Sequence, residues 1–232
     1  NVKQALDLNK DVVLANYGPV AKHFDELQLI EQKSDGKIKY GAVIGGSLPI
    51  IPLIYRYGPS DVTAIRGVFN EPSNFILSRM DAEKLSYEHV LSEAKGLGIT
   101  EEGSSSDIDG TDTAAKCASI ANILSSHDNT IIDESISFMD VNYEGIKDIP
   151  GSLFELAAQD GRTIRLIGEV RKNDVRANPR LVDKDSALSV EGARSTIQIE
   201  TEQSGTITFS GSEPRGSATA SAVYSEVNQL DN

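Results

Sequence analysis

The sequence predicts an α/β fold, and three observations predict it. Helical runs alternate with short apolar runs through the first half of the chain. Strand-like segments and a hairpin pattern fill much of the second half. Hydrophobic residues make up 39% of the 232 residues, enough to build a normal core.

The elements follow in order. Val2 to Leu8 reads as a helix tail and Asp11 to Ala15 as a strand, whose unbroken Val12-Val13-Leu14 suits burial on both faces. A strand so near the start needs neighbours, and Asn1 is not Met, so an upstream segment is expected. Pro19 opens a helix over Val20 to Gln32, in which Val20, Phe24, Leu27 and Ile30 recur at helical spacing. Ile38 to Ile44 reads as a strand, Gly45-Gly46-Ser47 as a turn, and Pro49 as the start of a helix through Ile54. Asp61 to Phe69 is a strand, Asn70-Glu71-Pro72-Ser73 a turn, and Asn74 to Met80 the start of a helix. Ser86 caps the next helix, with Leu85 and Val90 as a hydrophobic staple, and Gly96-Leu-Gly98 ends it. Asn129 to Tyr143 gives mixed signals between short strands and loop. Gly151 to Asp160 is a short helix and Thr163 to Val170 a strand. Ala177 to Val182 is another, interrupted by Pro179. Thr196 to Glu200 and Gly205 to Phe209 form a hairpin. Thr219 to Leu230 closes the chain as a helix with Ala222, Val223 and Val227 inward.

Composition excludes several classes of function. A net charge of -13 disfavours nucleic acid and anionic membrane surfaces. No apolar run is long enough to span a membrane, and no signal-peptide pattern is present, which points to the cytoplasm. Cys117 stands alone among alanines and reads as a core residue. His23, His89 and His127 lack zinc-ligand spacing, and there is no Gly-x-Gly-x-x-Gly fingerprint.

The stretch Ser104 to Leu124 carries the chemistry. Asp107, Asp109 and Gly110 precede a helical run in which Asp112 and Lys116, four residues apart, share one face. Ala114, Cys117, Ala118, Ala121 and Leu124 give that helix an apolar stripe. Spacing alone is usually the mark of a solvated ion pair of roughly 0.2–0.5 kcal/mol, with Asp109 and Thr111 capping the helix.

Six stretches together go further: VVLANYGPVAKHFDEL, GAVIGGSLPII, GVFNEPSNFILSRM, LSYEHVLSEAKGLGITE, SDIDGTDTAAK and TASAV. In this order and spacing the chain resembles the homoserine dehydrogenase family, from just after its nucleotide-binding core onward. The resemblance implies an NAD(P)-dependent oxidation of homoserine to aspartate semialdehyde, or the reverse, with NADP the favoured form, in threonine and methionine biosynthesis. It implies a mixed sheet with helices on one face plus remnants of a Rossmann domain. Residues 1–35 would end the nucleotide-binding domain, 36–217 would form the substrate-binding and dimerisation domain, and 218–232 would be a helix returning to the first. A homodimer is expected, and a chain lacking the Rossmann core is expected to be inactive by itself. Lys116 aligns with the catalytic lysine and Asp112 with the acid beside it. Asp107 and Glu101 align with substrate-binding carboxylates, Asn70 and Tyr17 with further substrate contacts, and Asn16, Gly211 and Thr219 with the cofactor side. A monovalent cation would rest on the backbone near Ile44, Gly46 and Leu48.

The chain also departs from the family pattern. The usual second lysine is Tyr17, the usual Asn-Gly-Thr turn is Asn70-Glu71-Pro72, the cation-site glutamate is Gly41, and the Gly-x-Gly-Ala-Gly loop reads Gly211-Ser-Glu-Pro-Arg215. Two other readings therefore stand beside the enzyme: a non-catalytic relative that binds an amino acid or its own dimer partner, and an acidic α/β domain whose motifs only cap and pack.

Overall fold

The computed structural model describes residues 1–44, 48–57, 61–100, 105–126, 132, 134–212 and 217–230. The chain opens with α1 (Val2–Asp7), β1 (Val12–Val13), α2 (Gly18–Glu31) and β2 (Ile38–Lys39). β1 and β2 pair in parallel across α2, a small βαβ unit of the kind expected for a Rossmann remnant. Pro19 sits in the first turn of α2, where its missing N–H costs nothing. The strand expected over Ile38 to Ile44 stops at Lys39. The chain turns there because the Val43 N–H bonds back to the Tyr40 carbonyl and the Gly41 N–H is taken by the Glu226 carboxylate.

Next come α3 (Ile50–Tyr57), β3 (Val62–Val68), α4 (Glu71–Glu83), α5 (Tyr87–Gly96) and α6 (Thr111–Ser125). A 3-10 turn (Phe138–Asp140), β4 (Asn142–Tyr143), α7 (Gly151–Gln159), β5 (Arg162–Arg171), β6 (Asp174–Asp183), β7 (Arg194–Thr201), β8 (Gly205–Ser212) and α8 (Ser217–Asn228) complete the described residues. A six-stranded sheet runs β4-β6-β5-β3-β7-β8. It is mixed, because β4 lies parallel to β6 while every other pair is antiparallel.

Side-chain alternation sorts the two faces of the sheet. Ile65, opposite Val170 and Ile199, joins Cys117 and Ile120 of α6 in the largest core cluster. Further along β5, Ile164 and Leu166 pack with Met80, Val90 and Phe154 from α4, α5 and α7. The opposite face carries charge: Glu169 pairs with Arg66 at 3.5 Å, Arg171 at 3.2 Å and Arg176 at 3.7 Å. Its one apolar patch, Val68, Ile167 and Val182, is covered by Leu188 and Val190 from the β6–β7 connection. The mixed sheet with helices on one face is thus present.

Further details differ from the sequence reading or complete it. α4 begins at Glu71 and not at Asn74, because Asn70 caps it and Pro72 lies in the first turn, where proline fits a helix as well as a turn. β6 runs unbroken through Pro179, which is tolerated because β4 covers β6 only at Arg176 and Ala177. Among the described residues of 129–143 the regular elements are the 3-10 turn and the two-residue β4; residues 129–131 and 133 lie outside the described residues. On α8 Val227 is exposed at 42%, and the buried residue is Glu226.

Candidate active site

α6 holds the site together. The chain enters it through Gly110 at φ +86°, where a Cβ would stand 2.7 Å from the Glu144 carbonyl oxygen. The Asp109 carboxylate caps the start by accepting from the Thr111 N–H at 2.9 Å. The apolar stripe read from the sequence understates the burial, since twelve of the fifteen residues of α6 are buried. Two of its buried polar side chains tie it to its surroundings: Asn122 Nδ2 donates to the Val20 and Ile136 carbonyls, and Ser119 Oγ to that of Ala115, while Thr113 Oγ1 has no hydrogen-bond partner among the described residues.

One turn apart on this helix, Lys116 Nζ and Asp112 Oδ2 meet at 2.8 Å. Lys116 Nζ also donates to the Phe69 carbonyl at 2.7 Å and lies 5.8 Å from the centre of the Tyr17 ring. An ammonium has three hydrogens, so one remains beyond these two partners. Asp112 Oδ1 accepts from the Tyr17 hydroxyl at 2.6 Å, and its Oδ2 accepts from Asn70 Nδ2 at 2.9 Å. The second Asn70 amide hydrogen goes to Asp107 Oδ1 at 2.7 Å, while Asn70 Oδ1 accepts from the Ser73 N–H at the start of α4. Thr100 Oγ1 reaches Asp107 Oδ2 at 3.4 Å.

The electrostatics follow from these partners. Burial works against the charged form of Asp112, but the Lys116 ammonium and the hydrogen bonds from Lys116, Tyr17 and Asn70 outweigh it. The carboxyl is held below its ordinary range. Burial and the Asp112 charge push the Tyr17 phenol up, so Tyr17 is a neutral donor and not a replacement positive charge.

Lys116, Asp112, Asp107 and Asn70 line a cavity of about 470 Å³ together with Ile44, Leu48, Ile50, Phe69, Pro72, Ile99, Ala193 and Ser195. A second space of about 290 Å³ lies on the other side of the Tyr17–Asp112 pair, lined by Asn16, Gly18, Lys22, Ser106 and Thr111 among others. A larger, apolar groove of about 950 Å³ between α5 and α7 holds neither Lys116 nor Asp112. Convergent polar groups, and not volume, place the site in the smaller cavity.

Comparison with known proteins bears on what such a site belongs to. The family model described as homoserine dehydrogenase matches residues 49–227. The chain belongs to the homoserine dehydrogenase family. It is 35% identical over 234 residues to the homoserine dehydrogenase of Methanocaldococcus jannaschii, covering all of this chain and 67% of that protein. It is 30% identical over 231 residues to an NAD(+)-dependent homoserine dehydrogenase of Pseudomonas canavaninivorans, covering 96% of this chain and 63% of that one. A homoserine dehydrogenase structure from Thiobacillus denitrificans superposes with a TM-score of 0.89 at 28% identity, covering 97% of this chain and 52% of that chain. A hyperthermophilic archaeal homoserine dehydrogenase in complex with NADPH superposes with a TM-score of 0.79 at 28% identity, covering 98% and 66%. The chain thus spans between about half and two thirds of these relatives.

Of the residues singled out from sequence, Lys116, Asp112, Asp107, Asn70 and Tyr17 converge. Ile44 and Leu48 line the same cavity. Asn16 is one step removed, its Oδ1 accepting from the Gly18 N–H. Gly211 pairs with Ser195 of the cavity wall. Thr219 lies on the first turn of α8 and lines neither space. Glu101, Gly46 and residues 213–215 of the expected cofactor loop lie outside the described residues. The space that a side chain at Gly41 would need is filled by the Glu226 carboxylate. Among the described residues no group of three or more His, Cys, Asp and Glu could hold a metal ion. The sequence reading missed the Phe69 carbonyl and the Thr100 hydroxyl, which lie inside the quoted stretches but give no signal of their own, and the Ala193–Ser195 wall, which lies in none of them.

Proposed function

We propose that the protein containing this chain interconverts L-homoserine and L-aspartate 4-semialdehyde using NAD(P), in threonine and methionine biosynthesis. The observation that carries the reading is the Lys116 ammonium, fixed by Asp112 and Phe69 with one hydrogen uncommitted, at the wall of a small polar cavity. When bound, the nicotinamide supplies or accepts the hydride. In the reducing direction the aldehyde carbon gains that hydride and its oxygen becomes an alkoxide. Lys116 Nζ is the donor that stabilises and protonates this oxygen. In the oxidising direction the hydroxyl proton leaves by the same atom. Asp112 orients Lys116, and Asp107 binds the substrate ammonium. Asn70 is a positioning residue, since its Oδ1 and both amide hydrogens already have protein partners. Tyr17 fixes the second oxygen of Asp112.

The residues fit a cofactor approaching from the second space, where Asn16, Lys22 and Ser106 offer polar groups beside Asp112. Gly211, next to the wall residue Ser195, would approach it from the β8 end. Relatives named for NAD(+) and for NADPH both exist, so the reading covers either form, with NADP favoured. Glu101 is assigned to the substrate ammonium and Thr219 to the cofactor side from the family pattern alone. The monovalent cation near Ile44, Gly46 and Leu48 gains no carboxylate from residue 41 itself, whose side-chain space the Glu226 carboxylate occupies, and no step is assigned to it. A cytoplasmic homodimer completes the reading; no described helix is long and apolar enough to cross a membrane.

The test is NAD(P)H absorbance with homoserine on the full-length enzyme. Turnover that Lys116→Ala abolishes while the circular dichroism spectrum is kept supports the reading; unchanged turnover in that variant overturns it.

A further inference from the structure

The cavity wall at Ala193 and Ser195 lies where the long connection between β6 and β7 runs into the first residues of β7, and the connection up to Ala193 has no regular structure to hold it. One fully buried side chain holds it. Asn74 of α4 is 0% exposed, and its Nδ2 donates to three carbonyls of that segment: Gly192 at 2.7 Å, Val190 at 3.2 Å and Arg194 at 3.3 Å. Three acceptors around a two-hydrogen amide mean that one bond is shared. The carbonyls come from alternate residues, so the chain bends around the amide nitrogen and lays Ala193 and Ser195 along the cavity.

The orientation of the amide is fixed by chemistry. Turned over, its oxygen would face three carbonyl oxygens. As placed, Asn74 Oδ1 is buried with no hydrogen-bond partner among the described residues. A buried unpaired acceptor is a cost that an apolar residue of similar size would not incur. Two neighbours reinforce the same segment. Ser78 Oγ accepts from the Gly192 N–H at 3.2 Å, and the buried Arg165 guanidinium donates to the Val190 carbonyl at 2.9 Å. Gly192 takes φ +66°, a conformation that suits glycine at the tightest point of the bend.

We infer that Asn74 is a positioning residue for substrate binding: it sets the Ala193–Ser195 wall and thereby the room left beside Asp107 and Lys116. This rests on the homoserine reading of that cavity. Asn74 has no hydrogen bond to Lys116 or Asp112 and lies outside the lining of the second, cofactor-side space, so its effect is expected to fall mainly on homoserine, with the Ser195–Gly211 pair as the link to the cofactor side.

The experiment uses the full-length enzyme and three variants, Asn74→Ala, Asn74→Asp and Ser78→Ala. Hydrogen–deuterium exchange of a peptide covering 188–196 is read together with KM for homoserine, KM for NAD(P) and kcat. Asn74→Ala is expected to speed exchange in that peptide, raise KM for homoserine about tenfold and leave KM for NAD(P) within about twofold, one lost charge-free clamp being on the order of 1.4 kcal/mol per factor of ten. Asn74→Asp, which sets a carboxylate against three carbonyls, is expected to be worse, and Ser78→Ala milder in the same direction. Unchanged exchange at 188–196 in Asn74→Ala, or equal rises in both KM values, overturns the inference. Should Asn74→Ala fail to fold, the milder Ser78→Ala carries the same two readouts. Wild-type enzyme that turns over no homoserine overturns the homoserine reading instead, and the exchange data still report on the clamp.

Discussion

Tyr17→Phe deletes one oxygen from the site and keeps the ring beside which Lys116 lies at 5.8 Å. The lost contact is the 2.6 Å bond to Asp112 Oδ1. A hydrogen bond to a charged acceptor contributes roughly 1.5–3 kcal/mol. Asp112 keeps Lys116 and Asn70 on its other oxygen, and it also lines the second space, which is large enough to admit water, so the lower end applies, about 1.5 kcal/mol. The pH dependence has a definite sign. Asp112 has a folded pKa below its unfolded one, so its stabilisation is complete above the unfolded value and is lost as pH falls through the folded value. Urea unfolding should therefore show Tyr17→Phe destabilised at pH 7, with the gap to wild type closing as pH falls below the ordinary carboxylate range. A gap of the same size at both pH values, or none at pH 7, would refute the assignment of Tyr17 as donor to an ionised Asp112.

Four further outcomes are expected. Asn70→Ala should lower thermal stability by about 1–2 kcal/mol through the lost helix cap, and Asn70→Asp by more, because it sets a third carboxylate against Asp107 and Asp112. Gly41→Ala places a Cβ on the Glu226 carboxylate, which must swing away and give up its bond to the residue 41 N–H, so α8 loses that tether; proteolysis near the C-terminus should quicken modestly while Gly96→Ala, with open space at its Cβ, changes little. Gly168→Ala drives a Cβ to 2.5 Å from the Phe69 ring and 2.6 Å from Cys117 Sγ, and a loss on the order of 1–3 kcal/mol should appear in urea midpoints. Tyr17→Lys restores the residue type usual in the family and can still donate to Asp112, so the variant should fold, and its kcat against wild type measures what a second ammonium adds.

The legible parts of the site were the local ones. Asp112 and Lys116 are a helix turn apart, so their meeting follows from spacing alone. The fold class followed from alternating helix and strand patterns, and the hairpin from its turn. Tyr17 drew notice only through the family pattern, because its partner is 95 residues away and no periodicity links them. Asn74 gave no signal, since its partners lie 116 to 120 residues on. Pro72 misled in the other direction, because a helix's first turn accepts the same residue that a reverse turn favours. Helical periodicity put Val227 inside; Gly41 instead leaves a hollow with a free N–H that a carboxylate can fill, and the neighbouring Glu226 takes it.

The burial of α6 has a bearing on motion. Loops usually carry reactive groups because they can open separately from the rest of a protein. Here the lysine and its acid ride on the most enclosed helix of the domain, against the centre of the sheet. Exposing them from behind would require melting the whole core, so their amides should exchange only at the rate of global unfolding. Turnover would then be timed by what travels to the pair, while the pair itself stays still.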